Sequence, residues 1–194
     1  MSCWSQLPET NFHNDTENEL FMRFAGTLPL QHALSYLRFT KSGKVQAILH
    51  SLKYENKPEL GVIMGKRYGE LVKMLIADTI DLIIPVPLHE SRLRKRGYNQ
   101  SDAFAEGLSQ STGIPWSNTA VMRLIKSESL TRKTREERWN NVDGIFQIVD
   151  IYAVENKRIL LVDDVVTTGA TLESCAKAIL EKAENISIAT IAMA

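Results

Sequence analysis

Two adjacent carboxylates, Asp163 and Asp164, directly follow an apolar run, and a hydroxyl-rich stretch then leads into an amphipathic helix. Free backbone amides and the positive end of a helix dipole make such a turn suited to an anion. Carboxylates would repel phosphate oxygens, but they accept hydrogen bonds from sugar hydroxyls. The combination therefore points to a sugar phosphate as ligand. The stretch after the acidic pair comprises Val165, Val166, Thr167, Thr168, Gly169, Ala170 and Thr171.

Residues 159–171 combine four apolar residues, the acidic pair, two more apolar residues and Thr-Thr-Gly-Ala-Thr. This run resembles the phosphoribosyl-pyrophosphate (PRPP) signature of the type I phosphoribosyltransferases. The resemblance implies that Asp163 and Asp164 are catalytic residues that hold the ribose 2′ and 3′ hydroxyls. It also implies that residues 165–171 wrap the 5′-phosphate. If only the acidic pair and the Thr-Thr-Gly that follows were present, the simpler interpretation would be two solvated aspartates followed by a threonine-capped helix.

Three other motifs fit the sequence less well. A haloacid-dehalogenase-like phosphatase needs Asp-x-Asp, whereas these two acids are adjacent. A response-regulator receiver needs a third Asp and a Lys on later strands. Only 30 residues of this sequence follow Asp164, which is too few for those strands. Residues 61–66, GVIMGK, are one residue short of a P-loop and lie in a predicted helix.

A basic segment, residues 85–100 (PVPLHESRLRKRGYNQ), follows another apolar run and carries four Lys or Arg within residues 92–96. A solvated loop would explain the charges, but arginine also makes bidentate contacts with phosphate oxygens. The segment resembles the competence protein F (ComF) family, a branch of the phosphoribosyltransferases associated with DNA uptake, in which it supplies the pyrophosphate loop. The resemblance implies pyrophosphate binding by Pro87, Leu88, Arg96, Asn99 and Gln100.

Residues 127–141 are charged and poor in apolar residues, which predicts a mobile surface loop. Residues 130–142 resemble the flexible catalytic loop of the same family. The resemblance implies that Arg132 and Lys133 are catalytic residues that close over bound PRPP and reach its pyrophosphate. The sequence departs from the family pattern at Leu130, where the family usually has Gln.

Two cysteines, Cys3 and Cys175, are too few for a disulfide framework and favour a reducing compartment. The N-terminal residues show no signal peptide, and the apolar runs are too short to span a membrane, so we expect a cytoplasmic location. The family commonly carries an N-terminal zinc ribbon with four cysteines. Cys3 alone cannot form it, so we expect the ribbon to be lost or truncated and the chain to hold no metal of its own.

The elements that must position these residues form an α/β pattern. Residues 158–162 and 186–192 are predicted strands around an amphipathic helix, which defines a parallel βαβ unit. Residues 80–86, 121–125 and 144–149 predict further strands, and residues 44–54 and 58–78 predict helices. The predicted fold is an open, mostly parallel sheet flanked by helices, with a mostly helical N-terminal hood. The predicted division is a hood of residues 1–55 and a core of residues 56–194.

The charge is unevenly distributed. The chain has 194 residues, with 23 Lys or Arg and 23 Asp or Glu, so its formal net charge is zero. That balance argues against a wholly basic nucleic-acid binder. Residues 92–138 carry a net charge of +5 and the remainder of the chain carries −5. The zero net charge is therefore compatible with a polyanionic ligand, which the basic residues 92–138 would bind.

The resemblance implies a pentosyltransferase that binds PRPP with Mg²⁺ and transfers phosphoribosyl to a nitrogen acceptor, releasing pyrophosphate. The acceptor stays open. The alternative is a non-catalytic, PRPP-responsive regulator or DNA-uptake partner, with a helicase or single-stranded DNA as its ligand. The oligomeric state also stays open, with a homodimer as one option.

Overall fold

The computed structural model describes residues 7–41, 43–124 and 145–194. Its centre is a sheet of four parallel strands, which follow one another across the sheet in the order Leu30–Arg38, Asn185–Met193, Arg158–Val166 and Leu82–Pro85. Because all four run in one direction, their carboxyl ends lie along the same edge, where open α/β sheets bind ligands. This sheet confirms the predicted fold class. Its strands are β1 (Leu30–Arg38), β2 (Leu82–Pro85), β5 (Arg158–Val166) and β6 (Asn185–Met193).

Helices cover both faces of the sheet. The described helices are α1 (Glu19–Phe24), α2 (Lys44–Tyr54), α3 (Pro58–Ile76), α4 (Glu90–Arg96), α5 (Gln100–Thr112), α6 (Ile151–Val154) and α7 (Ala170–Leu180). Helices α2, α3 and α5 share one hydrophobic core with alternate sheet residues such as Leu160, whereas α1 and α7 share the other with residues such as Leu161. A short antiparallel pair, β3 (Val121–Arg123) and β4 (Phe146–Ile148), lies beside the main sheet. None of the described helices is long and apolar enough to cross a membrane.

The acidic pair lies inside β5, which corrects the expectation that the strand ends at residue 162. Strand β6 continues to pair with it, with Asp163 opposite Thr190 and Val165 opposite Ala192. A partner strand that extends this far satisfies the backbone groups, so the ladder persists through the polar residues. The pair therefore sits on a rigid strand rather than on a loop.

Residues 30–38 form a strand that the sequence analysis did not predict. Five consecutive residues of β1 are buried, and the strand pairs in parallel with β6 at the edge of the sheet. Burial on both faces removes the alternation by which a strand is recognised. The N-terminal hood is therefore not simply a helical cover, and the sheet takes strands from both sides of the predicted boundary at residues 55 and 56. The division into domains itself stays a prediction.

The basic segment contains a helix, α4, where the sequence predicted an irregular stretch. The His89 side chain accepts a hydrogen bond from the backbone of Ser91 at 3.2 Å, and Gly97 ends the helix at a φ of +80°. Helix α4 buries none of its residues, so no apolar periodicity marks it in the sequence.

Glycines allow α3 and α5 to pack backbone against backbone. A Cβ on Gly65 would lie 2.3 Å from the carbonyl oxygen of Phe104, and a Cβ on Gly107 would lie 2.2 Å from that of Val62. The residues 61–66 considered as a P-loop lie within α3, where they serve this contact. The contact fixes how closely α5 packs against α3.

We expect Gly65→Ala to lower the free energy of unfolding by about 1–3 kcal/mol, because its methyl group would overlap a backbone carbonyl. Lys66→Ala, on the exposed face of the same helix, is the matched control and should change stability by about 0.5 kcal/mol or less. Urea unfolding followed by circular dichroism measures both. Equal stability of the two variants would contradict the close contact.

Candidate functional site

Neighbouring helices hold the two carboxylates of β5. Asp163 Oδ1 accepts hydrogen bonds from the Ser101 hydroxyl at 2.8 Å and from the Asp164 backbone N–H at 2.8 Å. Asp164 is 8% exposed, and its Oδ2 lies 3.1 Å from Nζ of Lys53. Ser101 belongs to α5 and Lys53 to α2, so elements on both sides of the predicted boundary complete the site. The sequence analysis assigned a role to neither residue, because single polar positions on helices form no motif.

The environment of Asp163 favours its protonated form. Burial, and then the negative charge of Asp164, raise the pKa of Asp163 from its ordinary 3.8 to about 7, against the opposing effect of the Ser101 hydrogen bond. Two carboxylates this close resist ionising together. The Asp163 carboxyl therefore keeps its proton to a higher pH than an ordinary aspartate does.

Residues 167–169 connect β5 to α7, and Ala170 and Thr171 begin the helix; we call residues 167–171 the β5–α7 turn. Thr167, Thr168, Ala170 and Thr171 are exposed. Gly169 precedes α7 with a φ of +86° and provides no side-chain cap. The Ala170 amide donates to the Thr168 hydroxyl at 3.4 Å, and the following amides of the first helical turn are available to an anion without a side-chain cap. Val165 and Val166 belong to β5 instead, and the Val166 carbonyl accepts from the Ala194 N–H at 2.9 Å.

Helix α1 packs against the β5–α7 turn and holds it in place, a role that could not be predicted from the sequence. A Cβ on Gly169 would lie 2.7 Å from Cζ of Phe24, so a larger residue would collide with that ring. The guanidinium of Arg23 donates to the Thr167 carbonyl and, at 3.4 Å, to that of Ala194. The N-terminal segment therefore contacts both parts of the site: Arg23 and Phe24 hold the turn, and Lys53 pairs with Asp164.

The five predicted pyrophosphate residues do not share one setting. Asn99 and Gln100 are buried and engaged within the protein: Asn99 donates to the Val86 carbonyl at 3.1 Å, and Gln100 accepts from Arg96 at 2.6 Å. These contacts hold the basic segment against β2. Pro87 and Leu88 line a cavity of about 460 Å³ beside β3.

Arg96 lines a second opening, which we call the cationic cavity. This cavity has a volume of about 570 Å³ and is lined by Lys53, Tyr54, Asn56, Arg92, Lys95 and Arg96. Four of these six residues are cationic and none is acidic. The Arg96 guanidinium lies 5.6 Å from the centroid of the Tyr54 ring, which favours the side chain as a cation–π pair. Lys53 joins the cationic cavity to the acidic pair.

Several predicted features fall elsewhere. Arg132, Lys133, Leu130 and Cys3 lie outside the described residues. Cys175 is fully buried in α7, and burial raises its thiol pKa well above the ordinary value, so it acts as a core residue. Within the described ranges, no group of three or more His, Cys, Asp or Glu could hold a metal ion.

Solved structures identify the fold. The chain is similar to glutamine PRPP amidotransferase from B. subtilis, complexed with ADP and GMP, with a TM-score of 0.52 and 19% identity. That match covers 73% of this chain and 30% of the amidotransferase chain. A second structure, of an allosteric regulatory enzyme of purine biosynthesis, matches with a TM-score of 0.51. The parallel sheet and its flanking helices are those of the type I phosphoribosyltransferase fold.

Curated relatives narrow the class. Competence protein F of Haemophilus influenzae is 37% identical over 98 residues, which cover 50% of this chain and 43% of that protein. The DNA utilization protein YhgH of Shigella flexneri is 30% identical over 69% of this chain and 60% of its own length. Competence protein ComFC of Bacillus subtilis is 27% identical over 80% of this chain and 61% of its own length.

The chain is a homologue of these competence and DNA utilization proteins and shares the type I phosphoribosyltransferase fold. Its match spans less than half of the Haemophilus protein and about three fifths of the Shigella and Bacillus proteins. No protein-family model matches the chain.

We expect Gly169→Ala to destabilise the protein by at least about 1 kcal/mol more than Gly26→Ala does. Both glycines have similar positive φ values, +86° and +88°, so both variants carry the same backbone strain. Gly26 has open space around it, whereas the new methyl group at position 169 meets the Phe24 ring. Thermal and urea unfolding measure the difference. If Phe24→Leu did not reduce the cost of Gly169→Ala, the contact between α1 and the turn would be wrong.

The raised pKa of Asp163 predicts a dependence of stability on pH. The folded-state pKa lies above the unfolded value of about 3.9, so the contribution is fully present below about pH 4 and is lost as pH rises through about 7. The free energy of unfolding should therefore fall over this window relative to that of Asp163→Asn. Ser101→Ala removes a hydrogen bond that lowers the pKa and should move the window to higher pH. A difference that does not change with pH would contradict the assignment.

Proposed function

We propose that the protein binds PRPP together with Mg²⁺ and transfers its phosphoribosyl group to a nitrogen acceptor, releasing pyrophosphate. One observation carries the proposal: the acidic pair and the start of α7 lie together at the carboxyl edge of the sheet. Carboxylates for sugar hydroxyls and backbone amides for a phosphate are what a ribose 5-phosphate requires. The similarity to PRPP-utilising enzymes in fold supports the same ligand class.

Each part of the proposed ligand has a matching group. Asp163 and Asp164 accept hydrogen bonds from the ribose hydroxyls, and the β5–α7 turn donates amides and threonine hydroxyls to the 5′-phosphate. The pyrophosphate lies on the basic side of the pair, near Arg96 in the cationic cavity. In the proposal, Arg132 and Lys133 supply further positive charge to the pyrophosphate. Both residues lie outside the described part of the chain.

The donor set fits Mg²⁺ only in combination with a ligand. Two carboxylates offer the hard oxygens that the ion prefers, yet the described residues form no cage of their own. Mg²⁺ commonly binds through one or two carboxylates, substrate phosphates and water. Bound in this way, the ion stabilises negative charge on the leaving pyrophosphate.

The proposed reaction requires no nucleophile from the protein. The acceptor nitrogen forms a bond to C1′ while the bond from C1′ to the pyrophosphate oxygen breaks, and both bonding electrons leave with pyrophosphate. The proton that the acceptor nitrogen loses passes to solvent or to the released pyrophosphate. The transition state resembles an oxocarbenium ion, as in glycoside cleavage. The protein acts chiefly by position and electrostatics.

A second function has independent support in the names of the relatives, which refer to competence and DNA utilization. In this alternative the same fold binds PRPP without turnover, as a regulator or as a partner in DNA uptake. Its macromolecular ligand would be single-stranded DNA or a helicase. The basic α4 and the exposed Tyr54 ring offer charge and one aromatic surface for a strand.

The PRPP site is tested by calorimetry with Mg²⁺. Asp163→Asn combined with Asp164→Asn should abolish PRPP binding, because each amide keeps only one acceptor oxygen and lacks the negative charge that strengthens hydrogen bonds from the ribose hydroxyls and attracts Mg²⁺. Asp150→Asn is the matched control. It removes a charge before β5 begins, and its side chain can still cap α6, so it should bind PRPP normally. Unchanged affinity in the double variant would refute the site.

Turnover separates the two functions. The transferase should release pyrophosphate from PRPP and Mg²⁺ when a panel of nitrogenous bases and amines is supplied as acceptors. The acidic-pair double variant should release none. PRPP binding without pyrophosphate release from any acceptor, together with binding to single-stranded DNA or a helicase, would favour the non-catalytic function.

A further inference from the structure

Lys53 lies between the two charged parts of the site. Its ammonium is 3.1 Å from Asp164 Oδ2, and the same side chain lines the cationic cavity with Arg92, Lys95 and Arg96. The Lys53 side chain is 21% exposed and that of Asp164 is 11% exposed, so the pair is shielded from water. Shielding of this kind makes each charge depend on its partner.

Neighbouring contacts fix the backbone that carries Lys53. Leu52 is fully buried, and its carbonyl accepts a hydrogen bond from the Tyr98 hydroxyl. Tyr54 carries the Arg96 guanidinium over its ring. The end of α2 is therefore held to the basic segment, and any movement of the ammonium must come from the flexible lysine stem. A lysine ammonium is a compact charge with rotatable donors, which suits such a movement.

The Lys53 ammonium and a sugar hydroxyl would compete for the carboxylate of Asp164. Its side chain has little accessible surface, and a hydroxyl that reaches Oδ2 competes with the ammonium already there. Lys53 would lose its counter-ion if it left for an empty cavity lined by three further cations. An anion in that cavity removes the penalty, because it supplies the ammonium with a new partner.

We propose that Lys53 is a positioning residue that exchanges partners, pairing with Asp164 in the free protein and with the diphosphate of the bound ligand. This inference rests on the proposed function, which supplies a sugar and a diphosphate in one molecule. The exchange releases the carboxylate to the ribose only when an anion fills the cationic cavity. The site thereby selects ribosyl diphosphates over ribose or sugar monophosphates.

The test uses inorganic diphosphate as the probe, without Mg²⁺, and a double-mutant cycle by calorimetry. Lys53→Met should weaken diphosphate binding about tenfold, the loss of one charge-assisted hydrogen bond. Asp164→Asn should tighten it about tenfold, because Lys53 is then free for the anion. In the Lys53→Met background Asp164→Asn should act through charge repulsion alone, with an effect of about threefold or less.

Two controls separate exchange from general effects of charge or stability. Lys57→Met removes an exposed lysine that pairs with Glu55 on the same segment and does not line the cavity, so binding should change less than about twofold. Lys53→Arg keeps the charge and should restore most of the affinity. Equal effects of Asp164→Asn in both backgrounds, or equal losses in Lys53→Met and Lys57→Met, would overturn the exchange.

The outcomes distinguish this inference from the proposed function. If PRPP with Mg²⁺ fails to bind but diphosphate shows the coupling of Lys53 and Asp164, the proposed function fails and the exchange stands. If PRPP binds and the coupling is absent, only the exchange fails. Unfolding curves for every variant show whether it is folded, and Lys53→Gln, which also removes the charge, takes the place of Lys53→Met in the cycle if Lys53→Met does not fold.

Discussion

Two adjacent carboxylates in a buried strand set the central constraint on this protein. Removing a single charge from water costs several kcal/mol unless partners replace the solvent, and two negative charges side by side add repulsion. The fold meets the requirement in two ways. Asp163 accepts hydrogen bonds and shifts toward its protonated form, while Asp164 keeps a lysine counter-ion. The partners come from α5 and α2, so the site depends on how these helices pack.

The packing of α5 is set far from the site. Its backbone meets that of α3 at Gly65 and Gly107, where side chains would keep the helices apart. Asn99 directly precedes this helix and donates from its side-chain amide to Val86, the residue after β2. Ser101, the second residue of the helix, donates to Asp163. A contact between two glycines thus contributes to the position of a catalytic candidate.

The N-terminal segment is part of the site rather than a cover over it. It supplies Lys53 to the acidic pair and Arg23 and Phe24 to the β5–α7 turn, and its strand β1 completes the sheet. These contacts bear on both halves of the proposed ligand, the ribose and its 5′-phosphate. Differences in this segment among relatives with the same fold would therefore alter ligand binding without any change in the acidic pair.

The sequence by itself determined the βαβ unit, its acidic pair and the following glycine turn, because these residues are contiguous and their spacing carries the pattern. It also determined helices α2 and α3, whose apolar residues repeat at helical spacing and whose proline at position 58 marks a helix start. The continuation of β5 to Val166 could not be predicted, because the partner strand sustains it. Strand β1 was missed because burial on both faces removes alternation, and α4 because it buries nothing.

Only the tertiary structure decided which residues complete the site. Ser101, Lys53 and Phe24 lie 62, 111 and 145 positions before Asp163, Asp164 and Gly169, and each is a common residue in a helix, so no local pattern distinguishes it. The structure also assigned Asn99 and Gln100 to internal contacts and Arg96 to the cationic cavity, which the sequence had grouped together. The physical reason is the same in each case. Charge and hydrogen-bond partners are chosen by distance in space, and the sequence records only distance along the chain.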